Sequence, residues 1–127
     1  MIIRYRALIV ILILSGVLYV SHMYASAHAL YFEYYWFSAI MHLLGGSILG
    51  LLWLWFVGRA GKSHSVWTTL AFVLFIGVSW EIFEYVFDIA YAGRYYAIDT
   101  SVDILMDVLG ALLMYVFFKN KFIQHHE

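Results

Sequence analysis

Four stretches of the chain stay apolar for about the 20 residues that a bilayer crossing requires: residues 7–27, 36–57, 66–90 and 100–118. The segments between them, HALYFEYY, GRAGKSHS and YAGRYYAID, are too short to hold an extramembrane domain. The pattern therefore predicts an all-α, integral membrane four-helix bundle with antiparallel neighbours, one transmembrane domain over residues 1–127. Arg4 and Arg6 followed by an apolar run and Ala25-Ser26-Ala27 also fit a cleavable secretory signal. Because the apolar run continues to the length of a full span, a retained helix is the preferred reading.

The polar positions inside these spans form stripes. Glu81, Glu84 and Asp88 recur at i, i+3 and i+7 and fall within an arc of about 60°, which Gly77 shares. Asp99, Asp103 and Asp107 recur at i, i+4 and i+8 within about 80°, with Gly110 on the same stripe. His42 shares a face with Ser38, Gly45 and Gly46. Each stripe runs into glycine, which lets a neighbouring backbone approach closely.

Charge placement orients the spans. With the N-terminus inside, Arg4, Arg6, Arg59, Lys62, Lys119 and Lys121 lie on the cytoplasmic side and only Arg94 lies outside. This predicts N-in, C-in topology in the plasma membrane, with Tyr31, Phe32, Tyr34, Tyr35, Trp36, Tyr91, Tyr95 and Tyr96 as an outer aromatic belt. His42 then lies about 9 Å below the outer end of its helix. Glu81, Glu84, Asp103 and Asp107 fall in the same outer layer, and His22 reaches a similar level.

Composition narrows the chemistry. The chain is 65% hydrophobic and contains no Cys, so thiol catalysis and Cys-based metal sites are excluded. A net charge of −1 offers no basic surface to nucleic acid. Gly-rich phosphate loops, Ser/His/Asp constellations and H-E-x-x-H are absent. The KNKFIQHHE tail reads as a basic stop with a His pair, and Gly46-x-x-x-Gly50 as internal helix packing.

Several of the polar positions have ordinary readings. Asp99 and Thr100-Ser101-Val102-Asp103 resemble a helix cap and capping box. Asp88 fits a headgroup-facing residue and His22 an interfacial histidine. Arg94 fits a loop cation, a phosphate ligand or a partner for the carboxylates. Glu81, Glu84, Asp103 and Asp107 are harder to accommodate: unpaired, they would together cost on the order of 10 kcal/mol, comparable with the stability of a domain. No Lys or Arg lies within the spans to neutralise them. Protonation, a water-filled pocket or a bound cation remain as solutions. For a divalent cation (Mg²⁺, Mn²⁺ or Zn²⁺) the candidate ligands are His42, Glu81, Glu84, Asp99, Asp103 and Asp107. The candidate catalytic residues are His42, Glu81, Glu84 and Asp103.

The segments MHLLGG (41–46), WEIFE (80–84) and DTSVDILMDVLGA (99–111), in this order, resemble the VanZ-like and YjdF-like group of small polytopic membrane proteins. The resemblance covers about residues 36–115 and implies His42, Glu81, Glu84, Asp99, Asp103 and Gly110 as shared positions. Asp107 stands where many relatives carry another polar residue, often Asn. For the VanZ-like proteins the resemblance implies a part in resistance to lipoglycopeptide antibiotics such as teicoplanin.

Three functions follow as expectations. The first is a cation-dependent enzyme acting on a lipid-linked or envelope substrate. The second is an ion- or proton-coupled transporter. The third is a non-catalytic envelope accessory protein whose carboxylates fix helix register. The bilayer is the expected partner in all three, and oligomerisation stays open.

Overall fold

A computed structural model describes residues 2–62, 65–87, 89 and 95–123, with side chains from residue 5 to residue 119 of these. Its described elements are α1 (Ile2–Ala27), a single turn α2 (Leu30–Glu33), α3 (Tyr35–Arg59), α4 (Val66–Val86) and α5 (Tyr96–Ile123). α1, α3, α4 and α5 are each long and apolar enough to cross a membrane. Asp88, Tyr91, Arg94 and the terminal His pair lie outside the described residues.

Local chemistry sets where the helices stop. α3 ends in a Schellman motif, with Gly61 N–H donating to Gly58 O and Lys62 N–H to Val57 O. Gly61 takes φ +67°, a conformation in which a side chain would be strained. α4 starts after extended Ser65, whose carbonyl accepts from the Thr69 amide and from the Thr68 and Thr69 hydroxyls. α4 stops at Val86, short of the residue 90 expected from hydropathy, because the Ile89 N–H turns back to Glu84 O at 2.9 Å. α5 starts at Tyr96, ahead of the expected residue 100, with the Ile98 and Asp99 amides both returning to Tyr95 O. The hydropathy pattern finds the apolar body of each helix but not its polar turns.

α3 is the hub. It packs along α5, carries α1 on another flank and also touches α4, while among the described residues α1 does not meet α4. Small residues make the α3–α5 seam. A Cβ on Gly46 would overlap the Asp107 backbone, and one on Gly50 would sit 2.8 Å from Ala111 Cα. A Cβ on Gly110 would overlap the Leu43 carbonyl. The Gly46-x-x-x-Gly50 motif is thus internal packing, in agreement with its reading from sequence. At the other end of α3, the fully buried Leu51 and Leu54 cluster with Ala7 and Ile11 of α1. Trp53 stacks on Phe72 of α4 at 4.8 Å between ring centroids.

Candidate functional site: a His/carboxylate cluster within the spans

Three helices bring polar side chains to one level. His42 and Asp103 each follow the start of their helix by about 10 Å of rise, and Glu81 precedes the end of α4 by about 8 Å. These three termini lie at the same end of antiparallel helices. The described Lys and Arg side chains (Arg6, Arg59, Lys62 and Lys119) belong to the opposite ends.

His42 is the centre. Its Nε2 lies 3.5 Å from Glu81 Oε1 and 3.7 Å from Asp103 Oδ2, while its Nδ1 lies 3.1 Å from Asp107 Oδ2. The four side chains are 10%, 6%, 4% and 6% exposed in the order His42, Glu81, Asp103, Asp107, so neither solvent nor lipid headgroups satisfy them. Each ring neighbour on the Nε2 side carries an outer partner. Thr100 Oγ1 donates to Glu81 Oε2 at 2.8 Å, and Ser38 Oγ donates to Asp103 Oδ2 at 2.9 Å. The remaining oxygens, Glu81 Oε1 and Asp103 Oδ1, are buried without a hydrogen-bond partner. Orphaned buried acceptors are uncommon, and each costs free energy until something positive meets it.

The six candidates from sequence therefore separate. His42, Glu81 and Asp103 each present a donor atom within 4.8 Å of the others. Asp107 touches the ring from its far side. Glu84 is half-buried one turn further out. Asp99 is exposed in the first turn of α5, where a carboxylate suits the helix dipole. The capping-box reading of Thr100–Asp103 does not hold: the helix already runs through these residues, which frees Thr100 for Glu81 and Asp103 for Ser38. Thr100 sits about 60° from Asp103 around α5, so its place on the polar stripe was available in the sequence. His22 lies apart from the cluster, its Nδ1 2.9 Å from the Tyr31 hydroxyl.

Residues 2–122 match the family model described as Predicted membrane protein (DUF2238). No curated protein and no solved structure matches the chain.

Proposed function

The chain belongs to this DUF2238 family of membrane proteins, and on that premise we propose that His42, Glu81 and Asp103 hold a divalent cation and make the protein a membrane enzyme. The observation that carries the reading is that Glu81 Oε1 and Asp103 Oδ2 both approach His42 Nε2, while each of these two carboxylates keeps one buried oxygen, Glu81 Oε1 and Asp103 Oδ1, without a hydrogen-bond partner. One nitrogen and two carboxylate oxygens form a donor set for a borderline cation such as Zn²⁺ or Mn²⁺, with Mg²⁺ less suited to the imidazole. Three protein ligands leave coordination positions open, as catalytic sites do.

The chemistry that a cation bound by His42, Glu81 and Asp103 would supply is polarisation of a phosphoryl or ester oxygen, or a lowered pKa of a coordinated water. The chain's own groups do the rest. Thr100 and Ser38 hold the two carboxylates in place. A carboxylate of the stripe outside the ligand set, such as Glu84 one turn toward the helix end, would take the proton. With the N-in orientation read from Lys and Arg placement, the cluster belongs to the outer half of the plasma membrane, the side on which lipid-linked or envelope substrates carry their ester or phosphoryl groups. The sequence resemblance to VanZ-like proteins, which implies a part in lipoglycopeptide resistance, is in keeping with an envelope role. A transport path has less support, because residues 49–56 and 66–75 offer no ionisable group to continue it.

The test is metal content of the purified protein by mass spectrometry, wild type beside Glu81→Gln/Asp103→Asn. Stoichiometric metal in the wild type, lost from an equally folded variant, is expected and would justify screening lipid-phosphate and lipid-ester hydrolysis. A wild type that takes up no Zn²⁺, Mn²⁺ or Mg²⁺ on reconstitution overturns the reading.

A further inference from the structure

An imidazole ring can turn either nitrogen toward its neighbours, and when neutral it carries its proton on only one of them. For His42 something must choose. Asp107, four residues beyond Asp103 on α5, sits 3.1 Å from Nδ1, on the side of the ring away from Glu81 and Asp103. It is not among the donors that converge within 4.8 Å. Its carboxylate is wedged between helices: Oδ2 lies 2.6 Å from where a Cβ on Gly77 of α4 would be, and Oδ1 lies 3.8 Å from the same point on Gly45 of α3. The space that Asp107 fills exists because position 77 has no side chain.

We propose that Asp107 is a positioning residue rather than a ligand, keeping a proton on Nδ1 so that Nε2 faces Glu81 and Asp103, and that Gly77 is its seat. Such an outer carboxylate on a ligating histidine fixes both ring orientation and tautomer, and its loss weakens metal binding by about 10–100-fold. The effect on affinity rests on the cation reading; the proton on Nδ1 does not.

The decisive variant is Gly77→Ala. Its new methyl would strike the far end of a carboxylate and no backbone, so α4 keeps its place and the carboxylate turns away from His42. Full-length protein in detergent is titrated with Zn²⁺ against a chromophoric chelator, with circular dichroism confirming the fold. Gly77→Ala and Asp107→Ala are both expected to bind Zn²⁺ about 10–100-fold more weakly. Asp107→Asn should lose less, since its amide oxygen still accepts from Nδ1–H. An Asn variant as impaired as the Ala variant would make Asp107 a ligand and overturn the proposal, as would wild-type affinity in Gly77→Ala.

In parallel, histidine-labelled protein is examined by NMR without metal, with His42→Gln assigning the signal. A hydrogen-bonded Nδ1 proton is expected in the wild type and in Glu81→Gln, and is expected to vanish in Gly77→Ala and Asp107→Ala. Its absence from the wild type refutes the proposal. Should the wild type bind no Zn²⁺, the cation reading falls while this signal still decides the role of Asp107.

Discussion

The carbonyl oxygen of Leu43 occupies the space where a side chain on Gly110 would begin, and Ser47 N lies 2.7 Å from the same point. Both neighbours belong to the α3 backbone, which cannot step aside without moving His42. Overpacking a core costs about 1–3 kcal/mol where side chains can adjust. Gly110→Ala is expected at or beyond the top of that range, read as a lowered unfolding midpoint in mixed micelles. Gly16→Ala is the control: nothing lies within 4 Å of its Cβ position, so the same measurement should show no loss.

The hydroxyls of Thr100 and Ser38 act through the carboxylates they hold. A hydrogen bond to a charged group contributes about 1.5–3 kcal/mol, and removing one partner leaves the other buried and unsatisfied. Thr100→Val keeps the shape and removes the donor to Glu81 Oε2. It should destabilise the protein by about 1–3 kcal/mol while leaving helix content unchanged in far-ultraviolet circular dichroism. Ser38→Ala should behave alike through Asp103.

Tyr31 gives a pH dependence outside the spans. Its burial, and then the Glu84 carboxylate, raise the phenol above its ordinary value of 10.0. The folded protein thus holds this proton more tightly than the unfolded chain. The resulting stability is fully present below the ordinary phenol pKa and is lost as pH rises from there through the folded value. Melting temperatures taken from about pH 8 to pH 11 should fall less steeply in Tyr31→Phe than in the wild type. An identical fall would mean that Tyr31 contributes nothing to it.

How much of this was legible in the sequence depends on what each signal measures. Hydropathy locates the four long helices because lipid-facing side chains such as Leu12, Phe75 and Phe117 must be apolar all along a span. Helical spacing places His42, Glu81 and Asp103 on inward stripes. It does not rank them, since Asp99 and Glu84 share the stripes yet sit where the helices open toward the surface. The roles of Thr100 and Gly77 stayed hidden for a different reason. Both arise from contacts between helices (Thr100 with Glu81, Gly77 with Asp107), and one helix's periodicity says nothing about its neighbour's register.

Packing at the opposite end of α3 is separable from the cluster. Leu54 is fully buried among Ala7, Ile11 and Leu51, so Leu54→Ala should cost about 2–5 kcal/mol by unfolding in micelles. Zn²⁺ affinity in the folded protein should stay at the wild-type value, because Leu54 lies about three turns from His42 along the helix.

The orientation read from Lys and Arg placement predicts which ends face outward. Because the chain has no Cys, single introduced cysteines are clean probes. Ala29→Cys should react with a membrane-impermeant maleimide added to intact cells, and Lys62→Cys only after the cells are opened. The reverse pattern would place the cluster in the inner half of the bilayer.

The close seam between α3 and α5 joins helices that are not neighbours in the chain. A ribosome delivers α3 first, then α4, and α5 last. His42 therefore enters the bilayer before the carboxylates on α4 and α5 exist, and Glu81 before its Thr100 donor. The final helix completes the polar centre, so a chain cut after α4 would hold His42 and Glu81 in lipid without Asp103, Asp107 or Thr100. Such a fragment would carry two polar helices without the hydrogen-bond and ion-pair partners that the last span supplies.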